Sequence, residues 1–136
     1  MKVDEKVIST EQEVLELIKG GTNPLEYIES ERDIDLICKA IANAEKSEDT
    51  YWDDMADILL KSIIYYLRDK EDETKTLARC KEIVETVIAS DDKRKTMTDL
   101  VGANESARVL YKPVEIASDK NHDFIFETLN TKLSKI

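Results

Sequence analysis

Glycine, proline and histidine are scarce: the 136 residues contain three Gly, two Pro and one His. So few turn-formers cannot punctuate a turn-rich β fold. With glycine only at 20, 21 and 102, neither Gly-x-x-x-x-Gly-Lys-Ser/Thr nor Gly-x-Gly-x-x-Gly can be built, which excludes nucleotide hydrolysis through those loops. The lone His122 has only Asp123 beside it, whereas metal sites draw several ligands together; no metal and no cofactor are expected, and His122 reads as an exposed residue in the first turn of the last helix. Cys38 and Cys80 form no Cys-x-x-Cys and lie on apolar helix stripes. Buried free thiols are therefore expected, rather than a disulfide or a nucleophile paired with His122. No apolar run reaches the roughly 18 residues a membrane span needs, and the N-terminus is charged, so neither a span nor a signal peptide is expected and the chain reads as cytoplasmic. In that setting the sequon Asn104-Glu105-Ser106 reads as chance.

Basic charge is also in short supply. Thirty acidic against twenty basic residues leave a net charge of -10, a balance that repels nucleic acid unless a local basic patch dominates. One short candidate exists, Lys93-Arg94-Lys95, and Asp91 and Asp92 stand directly before it. Direct nucleic-acid binding by this chain is not expected; a basic protein partner is electrostatically suited to it, and solubility alone would account for the same charge.

Helical periodicity dominates what is present. At 41% hydrophobic and 37% charged residues, the chain suits one helical domain with a heavily solvated surface. Thr50 to Leu67 is the richest segment: Trp52, Met55, Ala56, Leu59, Ile63 and Tyr66 recur at helical spacing, widened by Leu60, Ile64 and Leu67. This predicts a central apolar helix at about 50–68, started by Thr50, with Asp53, Asp54, Asp57, Lys61 and Arg68 on its solvated side. Ser9 and Thr10 with Gln12 and Glu13 signal a short helix that turns Val14, Leu17 and Ile18 inward and stops at Gly20-Gly21. Ser30 caps a helix at about 31–45, and Thr74 or Thr76 starts one with Cys80, Ile83, Val84 and Val87 inward. Residues 90–104 fit either a short helix or a connector. Ala107, Leu110, Tyr111 and Val114 resume the helical period, but Pro113 predicts a kink or break at Lys112. Asp119 or Asn121 caps a last helix whose inner face carries Phe124, Ile125, Leu129 and Leu133. The expectation is an all-α bundle of six to seven helices, with residues 1–22 as a charged N-terminal helix or a segment attached ahead of a domain at 23–136.

Catalytic constellations are not apparent. The carboxylate clusters Asp53, Asp54, Asp57 and Glu71, Asp72, Glu73 read as solvated faces, because acid–base work needs carboxylates in a cleft with separated pKa values. Tyr51, Trp52, Tyr65 and Tyr66 have acidic neighbours, which suits core packing better than base stacking, with Tyr51 or Tyr65 available as a surface anchor. No catalytic residue is assigned, and the chain reads as non-enzymatic.

Three stretches carry a resemblance: NPLEYIESERDIDLICKAIANA, YWDDMADILLKSIIYYL and ESARVLYKPVEIASDKNHDFIFETLNTKL. With Asn23-Pro24-Leu25, then Tyr51-Trp52 opening a long helix, then Ala107 to Tyr111, they resemble the all-α domain of type IV secretion coupling proteins, the TraG/TraD-like conjugation ATPases. The resemblance spans about 23–136. It departs in residues 1–22, which read as a helix where the family has a strand of the motor domain, and in Pro113. It implies a fragment of a membrane-anchored hexameric ATPase whose nucleotide motifs lie elsewhere, with this domain facing the cytoplasm and receiving a relaxase or relaxosome accessory protein for DNA transfer. The isolated domain would be monomeric. On that reading Glu71, Asp72 and Glu73, then Asp53, Asp54 and Asp57, are the partner-binding candidates. A stand-alone acidic helical adaptor of plasmid or phage origin is the alternative.

Overall fold

The structure, a computed structural model, describes residues 7–136. Among them the chain forms seven α-helices, one 3-10 turn and no strand. The helices are α1 (Glu11–Lys19), α2 (Glu31–Asn43), α3 (Thr50–Arg68), α4 (Leu77–Ala89), α5 (Lys93–Val101), α6 (Glu105–Glu115) and α7 (Asp119–Ser134), with the 3-10 turn at Pro24–Tyr27. Helix α3 packs against α2, α4, α5, α6 and α7. Its Ala56, Leu59, Leu60, Ile63 and Leu67 are sealed from solvent, and Ser62 donates a 2.7 Å hydrogen bond to the Ala107 carbonyl where α6 crosses. Ile8 and Val14 belong to the same apolar cluster, so the N-terminal stretch shares its core with the rest of the chain.

Short polar residues start the helices. Thr10 and Glu13 form the reciprocal capping box at α1, Gly20 ends that helix, and Gly21 takes the left-handed conformation at φ 82°. Thr76, Asp92 and Asn104 cap α4, α5 and α6 through their side chains. Three expectations about helix ends need correction. Asp49, rather than Thr50, caps α3, accepting from the Tyr51 amide at 2.9 Å. Ser118 caps α7, ahead of both predicted residues. Helix α6 also runs through Pro113 instead of breaking at Lys112. Proline withholds an amide from the Val109 carbonyl, but Val109 is exposed, so water can take that carbonyl, and the Ile116 amide resumes the ladder on Lys112 at 3.1 Å.

The interior contains a buried ion pair. Lys132 of α7 is 7% exposed, and its ammonium meets Asp53 at 2.8 Å, the Ala42 carbonyl at 2.9 Å and the Glu45 carbonyl at 2.7 Å. An ammonium has three donors, and these are three acceptors. Asp53 also accepts from the Ser47 amide and hydroxyl. The pair therefore ties α7 to the α2–α3 turn. Removing one partner strands a buried charge, so Lys132→Met should cost about 3 kcal/mol in urea unfolding. Asp53→Asn added to Lys132→Met should cost less than the sum of the single changes. Strict additivity, or an unaltered midpoint for Lys132→Met, would show that the pair does not tie the helices.

Candidate functional site

The six carboxylates read as a recognition surface separate into two groups. Asp53 and Asp57 are buried, contrary to a solvated face. Asp53 lies in register with Asp57, Leu60, Ile64 and Leu67, at offsets of four, seven, eleven and fourteen residues, which places both carboxylates on an inward row. Burial pushes the Asp53 carboxyl up, but hydrogen bonds from Lys132 and Ser47 outweigh it and hold it below its ordinary value. At Asp57 burial prevails and raises the carboxyl, despite Lys61 at 3.8 Å and Lys39 at 3.4 Å. Glu73 is half-buried. It takes two hydrogen bonds from Arg79, at 2.9 and 3.2 Å, and one from the Tyr66 hydroxyl at 3.0 Å, and the Arg79 bonds lower its carboxyl.

Asp54, Glu71 and Asp72 are the three that remain exposed. Asp54 stands at the start of α3 and the other two follow its end, so they lie on the order of 20 Å apart along the helix and cannot form one patch.

The other predicted chemistry is likewise used within the fold. Arg94, the middle of the basic run, donates to the Glu115 carbonyl at 2.9 Å, to the Ala117 carbonyl and to Asp119, gathering the end of α6 and the start of α7. Lys95 pairs with Asp99 at 2.6 Å. His122 is buried, not exposed: its Nε2 and the Tyr111 hydroxyl share a 2.7 Å hydrogen bond, and Phe126 covers the ring. Burial, with Arg94 acting in the same direction, lowers its pKa from 6.5. Cys38 and Cys80 are buried free thiols; burial raises Cys38 and pushes Cys80 up to about 12, so both stay protonated. Among the described residues no group of three or more His, Cys, Asp or Glu is placed to hold a metal ion, and no helix is long and apolar enough to cross a membrane.

Phe124 was expected on the inner face of α7, yet it is 47% exposed. The buried row runs through His122, Ile125, Phe126, Leu129, Lys132 and Leu133, and Phe124 falls outside it. Its ring stacks edge-on against Trp52 at 4.7 Å, and Trp52 meets Tyr51 edge-on at 4.8 Å. Trp52, Phe124, Lys120, Asn121, Asp123 and Glu127 line an open cleft of about 440 Å³ between α3 and α7. A second cleft of about 370 Å³ continues past Phe124 towards Lys46 and Thr131. This aromatic surface is the feature that periodicity missed. The signal available for it was the Phe-Ile-Phe triplet, of which one helix face can bury only part.

Comparison with protein-family models, curated proteins and solved structures found no match to this chain.

The raised Asp57 carboxyl sets a pH dependence. Its folded pKa lies above the ordinary 3.8, so the folded chain binds that proton more tightly than the unfolded chain. The resulting stability is present below the unfolded value and lost as pH rises through the folded one. Stability of the unaltered chain minus that of Asp57→Asn should therefore be smaller at about pH 7 than at about pH 3. A difference that stays constant across that range, measured by urea unfolding, would contradict the assignment.

Proposed function

We propose that the chain is a protein-docking module with no catalytic role of its own: the substrate-recognition all-α domain of a type IV secretion coupling protein, which receives a relaxase or relaxosome accessory protein for conjugative DNA transfer. In that setting it works in the cytoplasm beside its parent ATPase. The observation that carries the docking reading is the Tyr51–Trp52–Phe124 surface, in which Tyr51 and Phe124 are exposed and the half-buried Trp52 touches both, beside carboxylates that no internal contact engages among the described residues, Asp54 and Glu127 among them. Aromatic anchors with a charged rim suit protein recognition. The three-stretch resemblance supplies the particular system. Its landmarks have local structural tasks here: Asn23 caps the 3-10 turn and donates to the Lys75 carbonyl at 2.8 Å, Ala107 meets Ser62, and Tyr111 meets His122.

The second reading, a stand-alone acidic adaptor of plasmid or phage origin, is favoured by one observation: Ile8 and Val14, from the segment that departs from the family, are built into the common core. A Walker motif upstream in the same reading frame would favour the coupling-protein reading over this one.

Electrostatic attraction to a basic partner acts mainly on the association rate. Binding of a cognate relaxase should weaken as salt is raised, and Asp54→Asn with Glu71→Gln and Asp72→Asn should slow association several-fold in surface plasmon resonance while leaving dissociation nearly unchanged. Affinity indifferent to ionic strength would remove the electrostatic argument; no binding at either salt would remove the coupling-protein reading.

A further inference from the structure

The cleft between α3 and α7 combines two kinds of wall. Trp52 and Phe124 offer π surfaces at right angles to one another, with an interplanar angle of 82°. Asp123 and Glu127 stand beside Phe124 on α7, the latter one turn on, and both border the same space. Asn121 adds an amide, and Lys120 is the cation in the lining, so two carboxylates face one ammonium. Glu48, Asp49 and Asp54, all exposed, extend the negative field around Tyr51. The positive end of α7 opposes a cation only within its first turn, and Phe124 and Glu127 lie beyond that turn.

We propose that this cleft receives an arginine side chain from a basic segment of a protein partner, the guanidinium lying flat on one of the two perpendicular rings, Trp52 or Phe124, with its edge towards the other, and pairing with Asp123 and Glu127. A guanidinium is planar and weakly hydrated, stacks on aromatic faces and donates in a fork that matches carboxylates. Lysine offers the charge without the plane. A purely apolar anchor would leave both carboxylates facing buried hydrocarbon. A nucleic-acid base would stack, but its phosphates would meet the acidic rim. The proposal rests on the protein-docking reading and specifies the anchor that reading lacks.

Trp52 is the only tryptophan, so its emission reports on the cleft directly. The probes are capped octapeptides of arginine, lysine or glutamate alternating with alanine, titrated at low salt. The arginine peptide should shift or quench Trp52 emission saturably and bind several-fold tighter than the lysine peptide, and the glutamate peptide should not bind. Phe124→Ala should weaken the arginine peptide about fivefold or more, as should Asp123→Asn with Glu127→Gln. Both sets of changes lie at exposed or half-exposed positions, and thermal melts followed by circular dichroism check that the fold is retained. Equal binding of the arginine and lysine peptides, no change on Phe124→Ala, or tighter binding of oligo-thymidine than of the arginine peptide would each overturn the proposal. The two readings fail separately. A relaxase that binds the unaltered chain and Phe124→Ala alike would sink the arginine cleft and leave the docking function standing. An arginine peptide held at Trp52, with no relaxase bound, would do the reverse.

Discussion

One ammonium group fixes the arrangement on which the surface depends. Lys132 projects from the last part of α7 into a site formed by the end of α2, the turn after it and the first turn of α3. Taking a charge out of water is costly, and a buried pair is favourable only when its geometry is good and its remaining donors and acceptors are met. Here the ammonium has an acceptor for each donor, and Asp53 has Ser47 as well as Lys132. An ammonium whose three acceptors come from fixed backbone and side-chain positions is satisfied in one register of α7. Sliding α7 by one turn moves Lys132 by about 5.4 Å, which takes the ammonium from its three acceptors and leaves Asp53 with Ser47 but no counter-charge. Apolar residues alone would tolerate the shift better, since one leucine can replace another against α3.

Much of the fold was legible because burial in a helical bundle repeats every 3.6 residues. The stripes on α2, α3 and α4 could be read directly, and the capping residues Thr10, Ser30 and Thr76 marked where three helices begin. Polar side chains inside an apolar row were not legible. Asp53, Asp57, His122 and Lys132 all occupy inward positions, and each reads as surface until its partner is known. The deciding partners come from other helices and turns: Lys132 is bound by groups near residues 42, 45 and 53, and His122 by Tyr111 across the turn between α6 and α7. Composition marks a lysine as solvated. Only tertiary structure shows that three oxygens converge on this one.

The candidate site depends on tertiary contacts in the same way. The two carboxylate clusters read as solvated faces, but exposure belongs to each position and not to a cluster. Asp53 and Asp57 belong to an inward row, and Glu73 is drawn in by Arg79 and Tyr66. What remains outside is scattered. The aromatic surface was hidden for the opposite reason: Phe124 is apolar, and apolar residues on an amphipathic helix are assigned to the core by default. Its position outside the 122–125–129–133 row is the geometric reason it escapes burial.

These two departures from simple patterning are linked. Trp52 immediately precedes Asp53, and Phe124 lies eight residues, or about 12 Å along α7, before Lys132. The ion pair that sets the register of α7 against α3 therefore also sets the spacing of the two rings that form the cleft. A surface made by side chains from two helices keeps its shape only if the helices cannot slide, and hydrophobic packing is the least selective means of preventing that. The buried charges supply the selectivity. Loss of Lys132 would disturb the cleft from two turns away without touching anything bound in it, whereas loss of Phe124 would remove a wall and leave the register intact. The polar interior and the apolar exterior are in this sense one construction, with α7 contributing its charge inward and its ring outward.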